Sequence, residues 1–235
     1  MKSLFIDTAS NKRIVAILNN GEIVKESIQD NGIDLSSKMV PLLASTMNDA
    51  NMLPKEIDDI FVVIGPGSFT GIRIGVTIAK TYAWSLKKKI VPLSELETYA
   101  SGNYDLSFNN ITNNNENKEY IIPYINARRD YVYAGIYTKE LDSYMKDIHT
   151  SVTDLLNNIP DNSNVVFVSF DQEPINMDRL KELDKRNIRY VITKPNFDIA
   201  KLLLHHKNDN GVNSHECNPN YLKATEAEEN LNKKA

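Results

Sequence analysis

Eleven residues constrain this chain more than any others: Gly65-Pro66-Gly67-Ser68-Phe69-Thr70-Gly71-Ile72-Arg73-Ile74-Gly75. They follow an apolar run, Ile60-Phe61-Val62-Val63-Ile64, of the kind found in strands covered on both faces. Glycine and proline stop that run. Ser68 then stands where a helix N-cap accepts from free N–H groups. Beyond it, Phe69, Ile72, Val76, Ala79, Ala83 and Leu86 recur at 3,4,3,4,3 spacing, one apolar stripe of a long helix over residues 68–87.

The rest of the first hundred residues extends this unit. Residues 3–8, 13–18 and 22–28 read as strands, with Asn19-Asn20-Gly21 as a hairpin turn, since Asn and Gly tolerate positive φ. Leu35, Met39, Leu42, Leu43, Thr46 and Ala50 switch to helical spacing and predict a helix over 36–50. Asp34 or Ser36 is its expected cap, and Pro41 its expected weak point. Residues 58–64 and 90–93 are strands, and Ser94 with Glu97 has capping-box spacing. The order β-β-β-α-β-α-β-α resembles the ribonuclease-H-like half-domain of the actin-like ATPases. The expected fold class is therefore α/β, a two-lobed actin-like ATPase fold with mixed sheets flanked by helices. That analogy carries no function by itself.

The stretch 109–117 holds six Asn in nine residues and reads as a loop or linker. Strands follow at 120–126, 131–137, 165–170 and 188–192, helices at 176–186 and 197–206, and a last helix within 221–231. No internal repeat is evident. The expected organisation is a first lobe over 1–102 carrying the partner helices, a second α/β lobe over 103–210, and a C-terminal segment over 211–235 that packs back on the first lobe.

Gly65–Gly75 admits two chemical readings. A helix N-terminus behind glycines suits an anion. It is not a P-loop, however: five residues separate Gly65 from Gly71, and Ile72-Arg73 follows where Lys-Ser/Thr is required. The second face of the helix carries Gly71, Ile74, Gly75, Ile78 and Tyr82. Each interior glycine costs roughly 0.8–1 kcal/mol against Ala, so close packing should compensate, either within the fold or with another chain. The subunit reading predicts that Gly75→Leu blocks a partner and leaves the fold intact.

Other chemistry is thinly supplied. Asp7-Thr8 ends the first strand, but the hairpin Asp7-Thr8-Ala9-Ser10-Asn11 has no glycine, and the nearest shape to a second phosphate loop is Asp171-Gln172-Glu173. Arg128 and Arg129 form either an anion clamp or an exposed turn paired with Asp130. The four histidines, His149, His205, His206 and His215, include no i,i+4 pair, and His205 and His206 read as exposed residues at a helix end, so no metal is expected. No Ser-His-Asp or Cys-His set is suggested. The 27 basic and 31 acidic residues, net −4, argue against a stand-alone nucleic-acid binder. No apolar run approaches the ~18 residues of a membrane helix. One cysteine and no evident signal peptide predict a cytoplasmic protein.

Four stretches together resemble the TsaB (YeaZ) family of bacterial tRNA threonylcarbamoyladenosine biosynthesis proteins. They are Leu4-Phe5-Ile6-Asp7-Thr8, Gly65–Gly75, Asn126-Ala127-Arg128-Arg129-Asp130-Tyr131-Val132-Tyr133, and Pro219-Asn220-Tyr221-Leu222-Lys223 with Ala227-Glu228. The resemblance implies a two-lobed fold without its own catalysis. It implies pairing, through the first lobe's helices, with TsaD, the transferase that modifies adenosine 37 of ANN-decoding tRNAs, and recruitment of the ATPase TsaE. It also implies self-association through the same helices, and contact with tRNA only within the complex. The candidate partner-facing residues are Leu35, Met39, Leu42, Leu43, Gly71, Ile74, Gly75, Ile78 and Tyr82. The chain brings no cofactor of its own. A nucleotide at the partner interface would have Asp7, Thr8, Ser68 and Arg128 as its candidate contacts. The alternatives are an actin-like nucleotide-binding ATPase or kinase acting alone, and a protease, for which no nucleophile–base set is present.

Overall fold

Strand β1 (Lys2–Asp7) is the centre of the first sheet. In the computed structural model, which describes residues 1–32, 34–102, 117–171, 175 and 177–223, it pairs antiparallel with β2 (Lys12–Asn19) and parallel with β4 (Asp59–Val63). β3 (Glu22–Asp30) and β5 (Ile90–Leu93) complete the order β3-β2-β1-β4-β5. The apolar runs of β1 and β4 are buried along almost their whole length, as central strands of a covered sheet must be. Helices α1 (Leu35–Asp49) and α2 (Phe69–Leu86) lie on this sheet.

The second sheet repeats the plan. β6 (Lys118–Asn126) pairs antiparallel with β7 (Tyr131–Tyr137), which pairs antiparallel with β8 (Ser143–Ser151). On its other side β6 pairs parallel with β9 (Ser163–Val168), and β9 with β10 (Arg189–Thr193). The order β8-β7-β6-β9-β10 matches the first sheet strand for strand, with the same pairing senses. The chain is thus an architectural duplication, the two-lobed actin-like arrangement. The expectation of no internal repeat is corrected: the repeat lies in the topology of the two sheets.

The elements agree closely with the spacing of apolar residues, and the exceptions have physical causes. β8 and the short helix α4 (Val152–Asn157) were not expected. β8 is an edge strand with Ser, Lys, Asp, His and Thr among its residues, so it lacks the apolar signal of a central strand. α1 continues through Pro41, whose ring is exposed. Asp34 occupies the N-cap of α1, but its side chain makes no cap hydrogen bond and pairs with Lys38 instead. The asparagine-rich stretch up to residue 116 and the last expected helix from residue 224 onward lie outside the described residues.

Helix α2 is held close to β1. Ser68 Oγ accepts from Gly71 N–H at 3.2 Å, and Thr8 Oγ1 donates to the Gly71 carbonyl at 2.7 Å. A Cβ on Gly71 would sit 2.0 Å from the Thr8 carbonyl oxygen, and one on Gly75 would sit 2.4 Å from Thr8 Oγ1. The glycine flank of α2 is therefore filled by this chain's own first strand, and internal packing, not a partner, compensates for both glycines.

The third helix, α3 (Glu95–Ser101), is buried at every position. It touches β6, β7 and α6 (Ile199–His205), which follows the second sheet; α5 (Met177–Asp184) lies between β9 and β10 in sequence. One apolar cluster runs from Leu4, Phe5 and Ile60 through Leu96 and Tyr99 to Val166, Val168 and Leu202, joining the lobes. The chain after α6 returns to the first lobe, where Val212 bridges Ile90 and Asn220 N–H donates to the Ile64 carbonyl at 2.8 Å.

Because the obstacle at Gly71 is backbone, Gly71→Ala is expected to destabilise the fold by roughly 1–3 kcal/mol in chemical denaturation, although Ala is the better helix former by ~1 kcal/mol. Gly75→Leu should fail to fold rather than yield a folded, partner-deficient chain. A stable Gly75→Leu protein would show that the α2–β1 contact is looser than this packing requires.

Candidate functional site

The loop after β1 and the N-termini of α2 and α3 meet at the base of the inter-lobe seam. Asp7 and Glu95 are fully buried there. Asp7 Oδ1 accepts from Ala9 N–H at 2.7 Å. Its Oδ2 and both Glu95 oxygens have no donor unless one of the two acids carries a proton, which then joins them. Burial is the main reason the Asp7 carboxyl is pushed up to about 6. Burial, then the neighbouring Asp7 charge, holds Glu95 well above the carboxylate range. Tyr99 stands beside Glu95 and packs edge-on to Phe170 at 5.5 Å. This is a buried acid pair in an apolar seam, with the Ser10 hydroxyl and Tyr99 beside Glu95.

Of the residues expected to touch a nucleotide, Thr8 and Ser68 already bond backbone groups of the facing segment. Thr8 Oγ1 is bonded to Gly71, and Ser68 N–H donates to the Ala9 carbonyl at 2.7 Å while its Oγ caps α2. Arg128 is exposed in a turn in which Arg128, Arg129 and Asp130 all have positive φ. Asp130 does not pair with either arginine as expected; it reaches Arg179 at 2.5 Å, because the turn directs it toward α5. Asp171 Oδ2 accepts from Asn126 N–H at 2.9 Å, while Gln172 and Glu173 lie outside the described residues.

Three of the singled-out sequence stretches converge on a cleft of about 720 Å³ whose lining includes Pro66, Phe69, Arg73, Tyr133, Pro219 and Tyr221. Phe69 was expected on the sheet-facing stripe. Instead it is half-exposed and stacks on Tyr221 with centroids 5.3 Å apart. The Arg73 guanidinium lies over the Phe69 ring at 3.8 Å, and its Nε donates to Tyr221 Oη at 2.8 Å. The cleft thus sets a guanidinium over an aromatic face, a cation–π contact fixed by the tyrosine hydroxyl.

The partner-facing expectation needs correction. Leu35, Met39, Leu42 and Leu43 are core residues, and Gly71 and Gly75 face Thr8. Ile74, Ile78 and Tyr82 are half-buried, with Tyr82 Oη 3.8 Å from Met47 Sδ. The side chains α1 and α2 do present outward include Ser36, Val40, Thr70 and Thr77, and Ser36, Thr70, Ile74 and Thr77 line a shallow groove of about 410 Å³. Helical periodicity found the amphipathic helices but assigned the inward stripe to the partner. The histidine expectation holds for His205, which is exposed at the helix end, and is corrected for His206, which is half-buried and bonded to Glu97. Glu97 therefore does not complete a capping box at Ser94. Cys217 is buried, and burial pushes its thiol up, so it is not a reactive thiol.

Because Asp7 and Glu95 both hold protons to higher pH folded than unfolded, the native chain binds more protons than the unfolded chain above about pH 4. Stability from this pair therefore falls as pH rises through about 6, where Asp7 titrates, and on toward Glu95. Glu95→Gln is expected to gain stability over wild type at pH 8, by roughly 1–3 kcal/mol, and to lose that advantage at pH 5. Urea melts at both pH values check this; an equal effect at both would mean the pair does not share a proton.

Residues 33–178 match the family described as TsaD: tRNA N6-adenosine threonylcarbamoyltransferase. The tRNA threonylcarbamoyladenosine biosynthesis protein TsaB of Bacillus subtilis is 29% identical over 232 residues, covering 97% of this chain and 96% of that protein. The tRNA N6-adenosine threonylcarbamoyltransferase of Clostridium novyi is 28% identical over 120 residues, 44% of this chain, so the chain spans only about a third (35%) of that relative's length. Among solved structures, YeaZ from Pseudomonas aeruginosa superposes with a TM-score of 0.73 at 19% identity, covering 94% of this chain and 99% of that one, which establishes the shared fold. No helix among the described residues is long and apolar enough to cross a membrane. With the two-lobed duplication and the match over residues 33–178, the chain belongs to the TsaD-related family, within its TsaB (YeaZ) branch.

Proposed function

We propose that this chain is a non-catalytic subunit of the bacterial complex that forms N6-threonylcarbamoyladenosine at position 37 of ANN-decoding tRNAs. In this reading it binds and supports a TsaD-type transferase and helps recruit a TsaE-type ATPase, meeting tRNA only through the complex. The observation that carries the reading is the commitment of the Asp7–Ser10 loop and the α2 N-terminus to each other. Thr8 Oγ1 serves Gly71, Ser68 Oγ serves Gly71 N–H, and Ser68 N–H serves Ala9. The lobes meet across a buried acid pair that repels phosphate whenever it is ionised, which disfavours nucleotide chemistry by the chain alone. The whole-length similarity to a protein named for threonylcarbamoyladenosine biosynthesis supports the same reading.

The partner surface in this proposal is the outward edge of α1 and α2 around Val40, Ile74 and Thr77. Val40 is 55% exposed on α1, the helix whose Ser36 lines the shallow groove with Ile74 and Thr77 of α2. This face also serves self-association when the transferase is missing.

The test is reconstitution with the transferase, the ATPase and tRNA, reading the modified base and the pairing affinity together. The double variant Val40→Asp/Thr77→Arg should keep its circular dichroism and melting temperature. It should pair with the transferase at least about tenfold more weakly, ~1.4 kcal/mol, with modification falling in step. Unchanged pairing would remove α1 and α2 as the contact face, and full modification without this chain would remove the proposed role.

A further inference from the structure

Helix α3 of the first lobe and helix α6, which follows the second sheet, meet at a cluster of imidazoles and carboxylates. His206 Nε2 lies 2.8 Å from Glu97 Oε1, and His206 Nδ1 lies 2.7 Å from Asp209 Oδ2. His205 Nε2 is 3.9 Å from the same Glu97 oxygen. One donor atom from each of Glu97, His205 and His206 falls within 4.8 Å of the others. Glu97 is 8% exposed, and among the described residues its ion pairs are with these two histidines.

Two features single this cluster out from a chance meeting of side chains. The first is spacing. Ligands held 2.0–2.2 Å from a tetrahedral zinc ion stand about 3.3 Å apart. The contacts at 2.8 and 3.9 Å bracket that separation, and the three donor atoms all lie within 4.8 Å of one another. The second is Asp209. A metal-ligating histidine characteristically gives its other ring N–H to a carboxylate, which fixes the tautomer and aims the lone pair at the ion. His206 has that carboxylate behind Nδ1 and the Glu97 oxygen before Nε2. An imidazolium gives one N–H to each of these acceptors, whereas a neutral imidazole has one N–H for the two, and a cation on the Nε2 side then takes the place of the missing proton. The carboxylates of Glu97 and Asp209 balance a dication.

We propose that Glu97, His205 and His206 bind a divalent ion of the zinc class, with Asp209 orienting His206 and a water at the exposed fourth position. Two nitrogens and one oxygen suit zinc, and not magnesium or calcium, which take oxygen ligands. The ion ties the segment after the second sheet to the wedge helix of the first lobe, so its role is to clamp the lobes. Sequence spacing could not show this, because His205 and His206 are adjacent and Glu97 stands more than a hundred positions away.

The experiment uses the full chain stripped with chelator. Equilibrium dialysis with zinc chloride should give about one ion per chain and a rise in melting temperature, with magnesium chloride giving neither. Cobalt chloride should give the visible absorption of a four-coordinate site, displaced by zinc. His206→Ala and Glu97→Gln should abolish both signals, Asp209→Asn should weaken zinc at least tenfold with unchanged stoichiometry, and His215→Ala should bind as wild type does. If the His206 variant does not fold, ring-nitrogen resonances of the wild type decide: zinc must move those of His205 and His206 and leave those of His149 and His215. Absence of stoichiometric zinc, zinc binding that survives removal of both adjacent histidines, or shifts confined to His215 overturns the proposal.

Discussion

The molecule turns on the burial of α3. The segment Glu95-Leu96-Glu97-Thr98-Tyr99-Ala100-Ser101 has no exposed residue, although it carries two acids and three hydroxyls. Each polar group taken from water must find a partner in the protein. Glu95 stands against Asp7 and bonds it only when one of the two is protonated, with Ser10 and Tyr99 beside it; Glu97 finds His206; Thr98 Oγ1 donates to the Ser94 carbonyl at 2.8 Å. Ser101 Oγ accepts from Asp198 N–H at 3.0 Å, and Ser94 Oγ donates to Asp147 of β8, which Tyr137 Oη of β7 also serves. These partners come from the first lobe, the second sheet and the segment beyond it. One helix therefore cross-links the duplicated halves, and the apolar cluster on its remaining surface makes them a single core.

That wedge also explains the character of the seam. An open cleft between two such lobes would suit a nucleotide, but here its floor is an acid pair under apolar cover, and the nearby hydroxyls already serve the backbone. The close approach of Gly71 to the Thr8 carbonyl draws the first loop and the α2 N-terminus together.

How much was legible in the residues varied with the kind of signal. The strands of β1, β4 and β9 and the helices α1 and α2 follow from apolar spacing alone. β8 did not, because an edge strand needs little apolar surface. Gly71 and Gly75 announced a close approach, yet the partner in that approach, Thr8, lies more than sixty positions away and leaves no periodic trace. The stripe Leu35, Met39, Leu42 and Leu43 was visible as a face, but hydrophobicity does not distinguish a face turned to the sheet from one turned to another chain. The stack of Phe69, Arg73 and Tyr221 unites stretches 148 positions apart, and nothing local to either announces the other.

The sequence by itself determined the alternation of strands and helices, the family to which the chain is similar, and the lack of a P-loop or a nucleophile–base set, since all of these are local patterns. Tertiary structure alone decided the duplication of the sheets, the inward turn of the glycine flank, the burial of Asp7 beside Glu95, and the meeting of Glu97 with His205 and His206. Those features depend on which distant surfaces touch, and the free energy of that contact is set by shape and burial across the fold rather than by neighbours along the chain.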